Sequence, residues 1–301
     1  MDSALGSALA AGRFVVTAEI GPPKDADPDA VRRKAQVLRG WVDAANVTDN
    51  QGANVRMSSL AGSLLASQAG VEPVMQLTCR DRNKLALQSE LLSAGALGIP
   101  NVLLMTGDHP SSGDHPDATP VFDLDGIGLT AVARAMRDDG VLMSGQRLRT
   151  PPRWLIGTVE NPFGPSPEAR AKRLAEKVAA GAEFVQTQYV FDIDAFTRWM
   201  SHVRDLGLTE RCKVIAGTGP LRSVGTLVFL TEALGVQVPQ EVIRRLRGVP
   251  ADQVAREGAD LCVETIQRLA GIPGVAGVHL MAPGAERDLP EIIERAGVRA
   301  C

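Results

Sequence analysis

Short apolar runs rich in β-branched residues recur along the chain, most of them ending near Gly, Asp or Asn. Runs of this length and composition read as buried strands of a parallel sheet. Eight stand out: Phe14 to Ile20, Ala44 to Asp49, Pro73 to Cys79, Asn101 to Gly107, Arg153 to Val159, Phe184 to Val190, Lys213 to Gly219 and Gly274 to Ala282. Helical periodicity fills most of the intervals. Residues 25–41 carry acids early and bases late, which complements the helix dipole. Residues 58–70 open on serines and close on Gly70. Residues 82–98 space Leu85, Leu87, Leu91 and Leu92 along a helix. Residues 166–181 place Ser166 as the cap, Pro167 in the first turn and Gly181 just past the end. Further helices are expected over 192–207 and 223–235, twice within 239–270, and over 289–297. The alanine-rich residues 1–12 read as an N-terminal extension with a short helix. The stretch HPSSGDHPDATPVFDLDG after the fourth strand reads as a polar lid or active-site loop.

Alternating strands and helices imply a parallel sheet with right-handed crossovers. Eight such units fit a closed (βα)8 barrel, an α/β fold, better than an open doubly wound sheet. No GxGxxG follows a strand, which weakens the dinucleotide-fold alternative. No Pro- or Gly-rich linker divides the chain, so residues 1–301 are expected to form one catalytic barrel domain.

Composition narrows the partners. Thirty-two basic residues against 35 acidic ones give a net charge of -3, which argues against nucleic-acid binding on a basic surface. Aromatics at 4% offer little for base stacking. No apolar run is long enough for a membrane span, and the first residues lack the basic and apolar segments of a secretory signal. Cys79, Cys212, Cys262 and Cys301 form no CxxC pair, so buried apolar thiols in a cytoplasmic protein are the default.

In such a barrel, chemistry gathers at the C-terminal strand ends. Glu19 is a lone carboxyl in an apolar strand, suited to a raised pKa and to general acid work, or to a structural ion pair. Asp108 follows Gly107, whose missing side chain lets a ligand approach the backbone. It is suited to a heterocycle N–H or to capping the next turn. Gln186 and Gln188 share one strand face and suit a pterin or flavin ring, unless one of them serves the barrel's own polar groups. The acids Asp114, Asp117, Asp123 and Asp125 and the histidines His109 and His115 match no metal-site spacing, so no metal is expected. A GxSxG elbow is absent, and Lys213 lies at the wrong end of its strand for a Schiff base.

The segments TAEIGPP, ANVTDNQGANVRMSS, QLTCRDRNKLALQSELLSAGALGIPNVLLMTGD and GAEFVQTQYVFD together resemble the methylenetetrahydrofolate reductase family, from Phe14 to about Ala282. The resemblance implies a (βα)8 barrel that reduces 5,10-methylenetetrahydrofolate to 5-methyltetrahydrofolate, with NADH or NADPH as donor. It also implies a bound flavin, usually FAD; FMN or no flavin are the alternatives, since some members transfer hydride directly from NADH. Position by position, it makes Glu19 the acid that opens the folate's five-membered ring. Asp108 becomes the carboxylate between flavin and pterin, Gln188 a folate contact, Thr48 a flavin contact and Lys177 a lysine near the flavin phosphates. Gln76, Thr106, Thr158 and Arg170 depart from the family's flavin contacts, with Gln76 standing where enteric-type members have a His in strand 3. A nicotinamide-packing Phe aligns with Leu230, leaving Phe229 beside it as the substrate-facing candidate. Arg80 and Arg82 offer substitute phosphate contacts. Another pterin- or flavin-linked barrel enzyme, or a non-catalytic folate-binding subunit, are the competing readings. The choice of NADH or NADPH, and whether copies of the chain associate, stay open.

Overall fold

The computed structural model describes residues 3–164 and 166–298, so Cys301 and the first two residues lie outside it. Strands β1 (Val15–Ile20), β2 (Ala44–Val47), β3 (Pro73–Thr78), β4 (Asn101–Met105), β5 (Leu155–Glu160), β6 (Phe184–Tyr189), β7 (Lys213–Thr218) and β8 (Val275–Leu280) close a barrel in chain order. All pairings are parallel, and β8 returns to β1 with Thr17 opposite His279. Each observed strand overlaps the run expected for it. The helices are α1 (Ala4–Ala10), α2 (Pro28–Leu38), α3 (Ser59–Gln68), α4 (Lys84–Ala96), α5 (Gly126–Arg134), α6 (Pro167–Ala180), α7 (Ile193–Asp205), α8 (Leu208–Arg211), α9 (Val224–Val228), α10 (Gln240–Arg247), α11 (Val254–Ala270) and α12 (Leu289–Ala296).

Two layers of packing result. Outward strand residues such as Val16, Val47, Leu77 and Val185 meet the apolar stripes of the surrounding helices. Inside, Val15, Ala44, Val74, Leu103, Phe184 and Ile215 fill the lower barrel. Gly157 makes room for the Phe184 ring, since a Cβ there would sit 2.2 Å from its Cζ. Helix α1 plugs the bottom with Leu5 and Leu9, and Glu72 ties it down by accepting from the Ala4 and Leu5 amides.

Two elements differ from the sequence expectation. Helix α5 and the π-helical turn after it (Ala135–Asp139) lie in the β4–β5 interval, where no helix was expected. Its opening, GIGLT, is weak in helix formers apart from Leu129, which hides the pattern, while Asp125 caps it by accepting from the Gly128 amide. The single helix expected over 223–235 is α9 followed by a π turn, Phe229–Ala233.

Candidate active site

The C-terminal strand ends form a rim with two kinds of polar group. On the β8–β1 side, Glu19 is largely covered, with 12% of its side chain exposed. Its carboxyl pairs with no lysine or arginine among the described residues; its ionisable neighbour is His279, whose Nε2 lies 3.7 Å from Oε1. A cleft beside Glu19 is lined by Gly21, Lys34, Gln51, Arg56 and Pro283. The cations there are turned elsewhere: Lys34 bonds Glu286 and the Gly21 carbonyl, and Arg56 donates to the Pro22 carbonyl. The ion-pair reading of Glu19 thus reduces to a histidine.

Gln186 is the glutamine that serves the barrel. It is 2% exposed, and its amide is consumed by Asn46 and Thr17. Gln188, one pleat further up, is half-buried; its Oε1 accepts from the Tyr189 amide, and its NH2 group makes no hydrogen bond among the described residues.

The β2–β4 side is different. Thr48 Oγ1 is buried with no hydrogen-bond partner. Gln76 is 9% exposed, and among the described residues its amide makes no hydrogen bond and the exposed Asp108 on the rim forms no ion pair. Gly107 has φ +89°, and a Cβ there would lie 2.9 Å from Thr78 Cβ, so only glycine fits this turn between them. Asp49, in contrast, is fully spent. It accepts from the Thr78 amide and hydroxyl and from both terminal nitrogens of Arg82.

Other sequence candidates fall away from the rim's free groups. Arg80 forks onto Asp81, and Arg82 is held by Asp49, so neither guanidinium stands free for a phosphate. Lys177 projects from α6 under β5, where its ammonium bonds Glu160 and the Val159 carbonyl. Burial pulls Lys177 below the ordinary lysine range, and Glu160 opposes that shift. Arg170 lies 3.6 Å from the same Glu160. Phe229 is 55% exposed on the π turn, whereas Leu230 is buried against Tyr189, Phe191 and Leu227.

The loop after β4 is anchored across the rim. Asp114 accepts from the Val55 amide and pairs with Lys24 and His115. The His115 hydrogen bond, then those from the Val55 amide and Lys24, hold its carboxyl below the ordinary value of 3.8. Asp123 accepts from the Lys84 amide at the start of α4, and Asp125 caps α5, so these acids serve the backbone. Among the described residues no cluster of His, Cys, Asp or Glu is placed to hold a metal. A larger surface cleft between α7, α10 and α11, about 340 Å³, touches none of the rim residues.

His279, Thr17 and Asn46 are the site members that sequence reasoning left without a role. A period-two reading was the available signal, because Thr17 shares Glu19's strand face. The β8 register that delivers His279 is visible only once the barrel closes.

The family model described as methylenetetrahydrofolate reductase matches residues 4–297. A probable methylenetetrahydrofolate reductase (NADPH) of Caenorhabditis elegans is 26% identical over 93% of this chain and 42% of its own length. The chain therefore spans less than half of that relative. A 5,10-methylenetetrahydrofolate reductase of Pectobacterium carotovorum subsp. carotovorum is 22% identical over 96% of this chain and 92% of its own. Among solved structures, an uncharacterized protein from Clostridium thermocellum that binds two copies of 5-methyl-5,6,7,8-tetrahydrofolic acid shares the fold. It aligns with TM-score 0.63 and 14% identity, covering 98% of each chain.

Proposed function

The chain belongs to the methylenetetrahydrofolate reductase family, and from that premise we propose that it reduces 5,10-methylenetetrahydrofolate to 5-methyltetrahydrofolate with NADH or NADPH. The observation that carries the reading is Glu19, a mostly covered carboxyl at the barrel mouth with a histidine, not a lysine or arginine, beside it. No lysine or arginine among the described residues occupies that carboxyl, which leaves it available to a substrate in the mouth. In this reading Glu19 donates a proton to the bridging amine nitrogen. The bond from that nitrogen to the methylene carbon breaks, the other ring nitrogen forms an iminium, and hydride adds to the methylene carbon to give the methyl group. Asp108, exposed on the rim and unpaired, places negative charge where the iminium forms. The free NH2 group of Gln188 and the Asp108 carboxylate offer a donor and an acceptor to the pterin edge.

A flavin, when bound, would relay hydride from the nicotinamide to the folate. The ring end of such a cofactor fits. Thr48 Oγ1 is an orphaned buried hydroxyl, the Gln76 amide makes no hydrogen bond among the described residues, and Gly107 clears the approach beside them. The phosphate end fits less well, because Lys177, Arg80 and Arg82 are each held by a carboxylate. We therefore propose Thr48, Gln76, Gly107 and Asp108 as the flavin-facing groups and leave Lys177 to its pairing with Glu160. A reduced, cytoplasmic setting completes the proposal, supported by Cys79, Cys212 and Cys262. All three are free and buried, and desolvation pushes each thiol up to about 12.

The test is anaerobic turnover of purified protein with methylenetetrahydrofolate and each nucleotide, alongside its visible spectrum. Formation of 5-methyltetrahydrofolate supports the activity; none with either donor refutes it in favour of another pterin-linked barrel enzyme. A flavin spectrum with parallel-line kinetics supports the relay, since the two substrates then use the carrier in turn. Intersecting lines from colourless, active protein refute it.

A further inference from the structure

Glu19 does not stand alone in the barrel. Asn46, Gln186, Thr17 and His279 form a hydrogen-bonded chain whose last member, His279, lies 3.7 Å from its carboxyl, and all four are 3% exposed or less. The direction of the chain can be read from its donors. Gln186 Oε1 accepts from Asn46 Nδ2 at 2.5 Å, which orients the glutamine amide. Gln186 Nε2 then donates to Asn46 Oδ1 at 3.1 Å and to Thr17 Oγ1 at 3.2 Å. With one lone pair of Thr17 Oγ1 filled by Gln186, the hydroxyl proton has two acceptors. The Val278 carbonyl is 3.5 Å away and His279 Nδ1 is 2.9 Å away. If the shorter contact is the one the hydroxyl donates to, Nδ1 accepts and the imidazole carries its proton on Nε2, the nitrogen that faces Glu19 Oε1 at 3.7 Å.

We propose that His279 is a positioning residue for the proton donor. Its Nε2–H, fixed by Thr17 and Gln186, aims Glu19 and stabilises the carboxylate left when Glu19 gives its proton to the folate. This inference rests on the reduction proposed above. The contact gains strength as charge develops on Glu19, so it lowers the barrier rather than tightening substrate binding. At 3.7 Å the pair is open before substrate arrives, as catalytic hydrogen bonds often are in ligand-free enzymes. His279 is more deeply buried than Glu19 and acts through it, not on the folate itself.

The experiment is steady-state reduction of methylenetetrahydrofolate by wild type, His279→Leu, His279→Gln and Thr17→Val. Removing a hydrogen bond to a charged group should lower kcat by about 10- to 100-fold in His279→Leu, with folate and nucleotide KM within about threefold of wild type. His279→Gln, whose amide N–H falls where Nε2–H was, should recover most of that loss. Thr17→Val should lower kcat several-fold by releasing the tautomer, and it carries the test if His279→Leu does not fold. A Leu variant with unchanged kcat, a loss confined to KM, or a loss that Gln does not recover would each overturn the inference. So would unchanged kcat in Thr17→Val. A wild-type protein that makes no 5-methyltetrahydrofolate overturns the activity and this inference with it. Active wild type beside an equally active Leu variant overturns this inference alone.

Discussion

The two sides of the barrel mouth differ in how their polar groups are satisfied. On the β8–β1 side, Asn46, Gln186, Thr17 and His279 use one another in a buried chain that ends at His279, 3.7 Å from Glu19. On the β2–β4 side, the Thr48 hydroxyl is buried without a partner, and among the described residues the Gln76 amide makes no hydrogen bond and Asp108 at the rim forms no ion pair. Buried polar groups are normally paired, and each unpaired one costs about 1–3 kcal/mol. A satisfied chain rigidifies, whereas unsatisfied groups mark where a ligand completes the bonding. In the function proposed above, this difference corresponds to proton delivery on one side and ligand holding on the other.

The largest expected effect breaks the proton side. Glu19→Gln keeps shape and removes the acid, so turnover should fall roughly a hundredfold or more. Near-wild-type turnover in that variant would remove Glu19 from the chemistry. Next comes the charge on the ligand side. Asp108→Asn should slow reduction on the order of tenfold, because an amide stabilises the iminium less than a carboxylate does. An unchanged rate would return Asp108 to a turn-capping role. Gln188→Ala should raise the folate KM about tenfold while the nucleotide KM moves little. Equal changes in both KM values would deny Gln188 its pterin contact.

The smallest effect concerns the loop that crosses the rim. Asp114 lies below its ordinary 3.8 when folded, so its stabilisation is present above pH 3.8 and fades as pH falls through the folded value. Asp114→Asn should therefore melt slightly below wild type at neutral pH, and the gap should close in melts well below pH 3.8. The gap stays small because Asp114 pairs with Lys24 at the surface, where solvent screens the charges. A gap that persists in acid would show that the loop is held by something other than this carboxylate.

Much of this arrangement was legible before the fold. The eight strands and most helices announce themselves through β-branched runs and caps such as Ser166 and Ser58, because those signals are local. Glu19, Asp108 and Gln188 could be singled out because the barrel rule assigns chemistry to strand ends. What stayed hidden depends on register and long-range pairing. The contacts Thr17–His279 and Asn46–Gln186 join residues 262 and 140 positions apart, and nothing local marks them. The engagement of Arg80, Arg82 and Lys177 by Asp81, Asp49 and Glu160 is likewise a property of packing. Helix α5 escaped notice because Gly126, Ile127, Gly128 and Thr130 are weak helix formers that tertiary contacts override.

The division of labour across the mouth is tested most directly by titrating 5-methyltetrahydrofolate into wild type, Glu19→Gln, His279→Leu, Asp108→Asn and Gln188→Ala without nucleotide. The account predicts that Glu19→Gln and His279→Leu bind within about threefold of wild type, while Gln188→Ala and Asp108→Asn weaken by about tenfold, the worth of one good hydrogen bond. Affinity lost in the Glu19 and His279 variants but kept in the other two would contradict it.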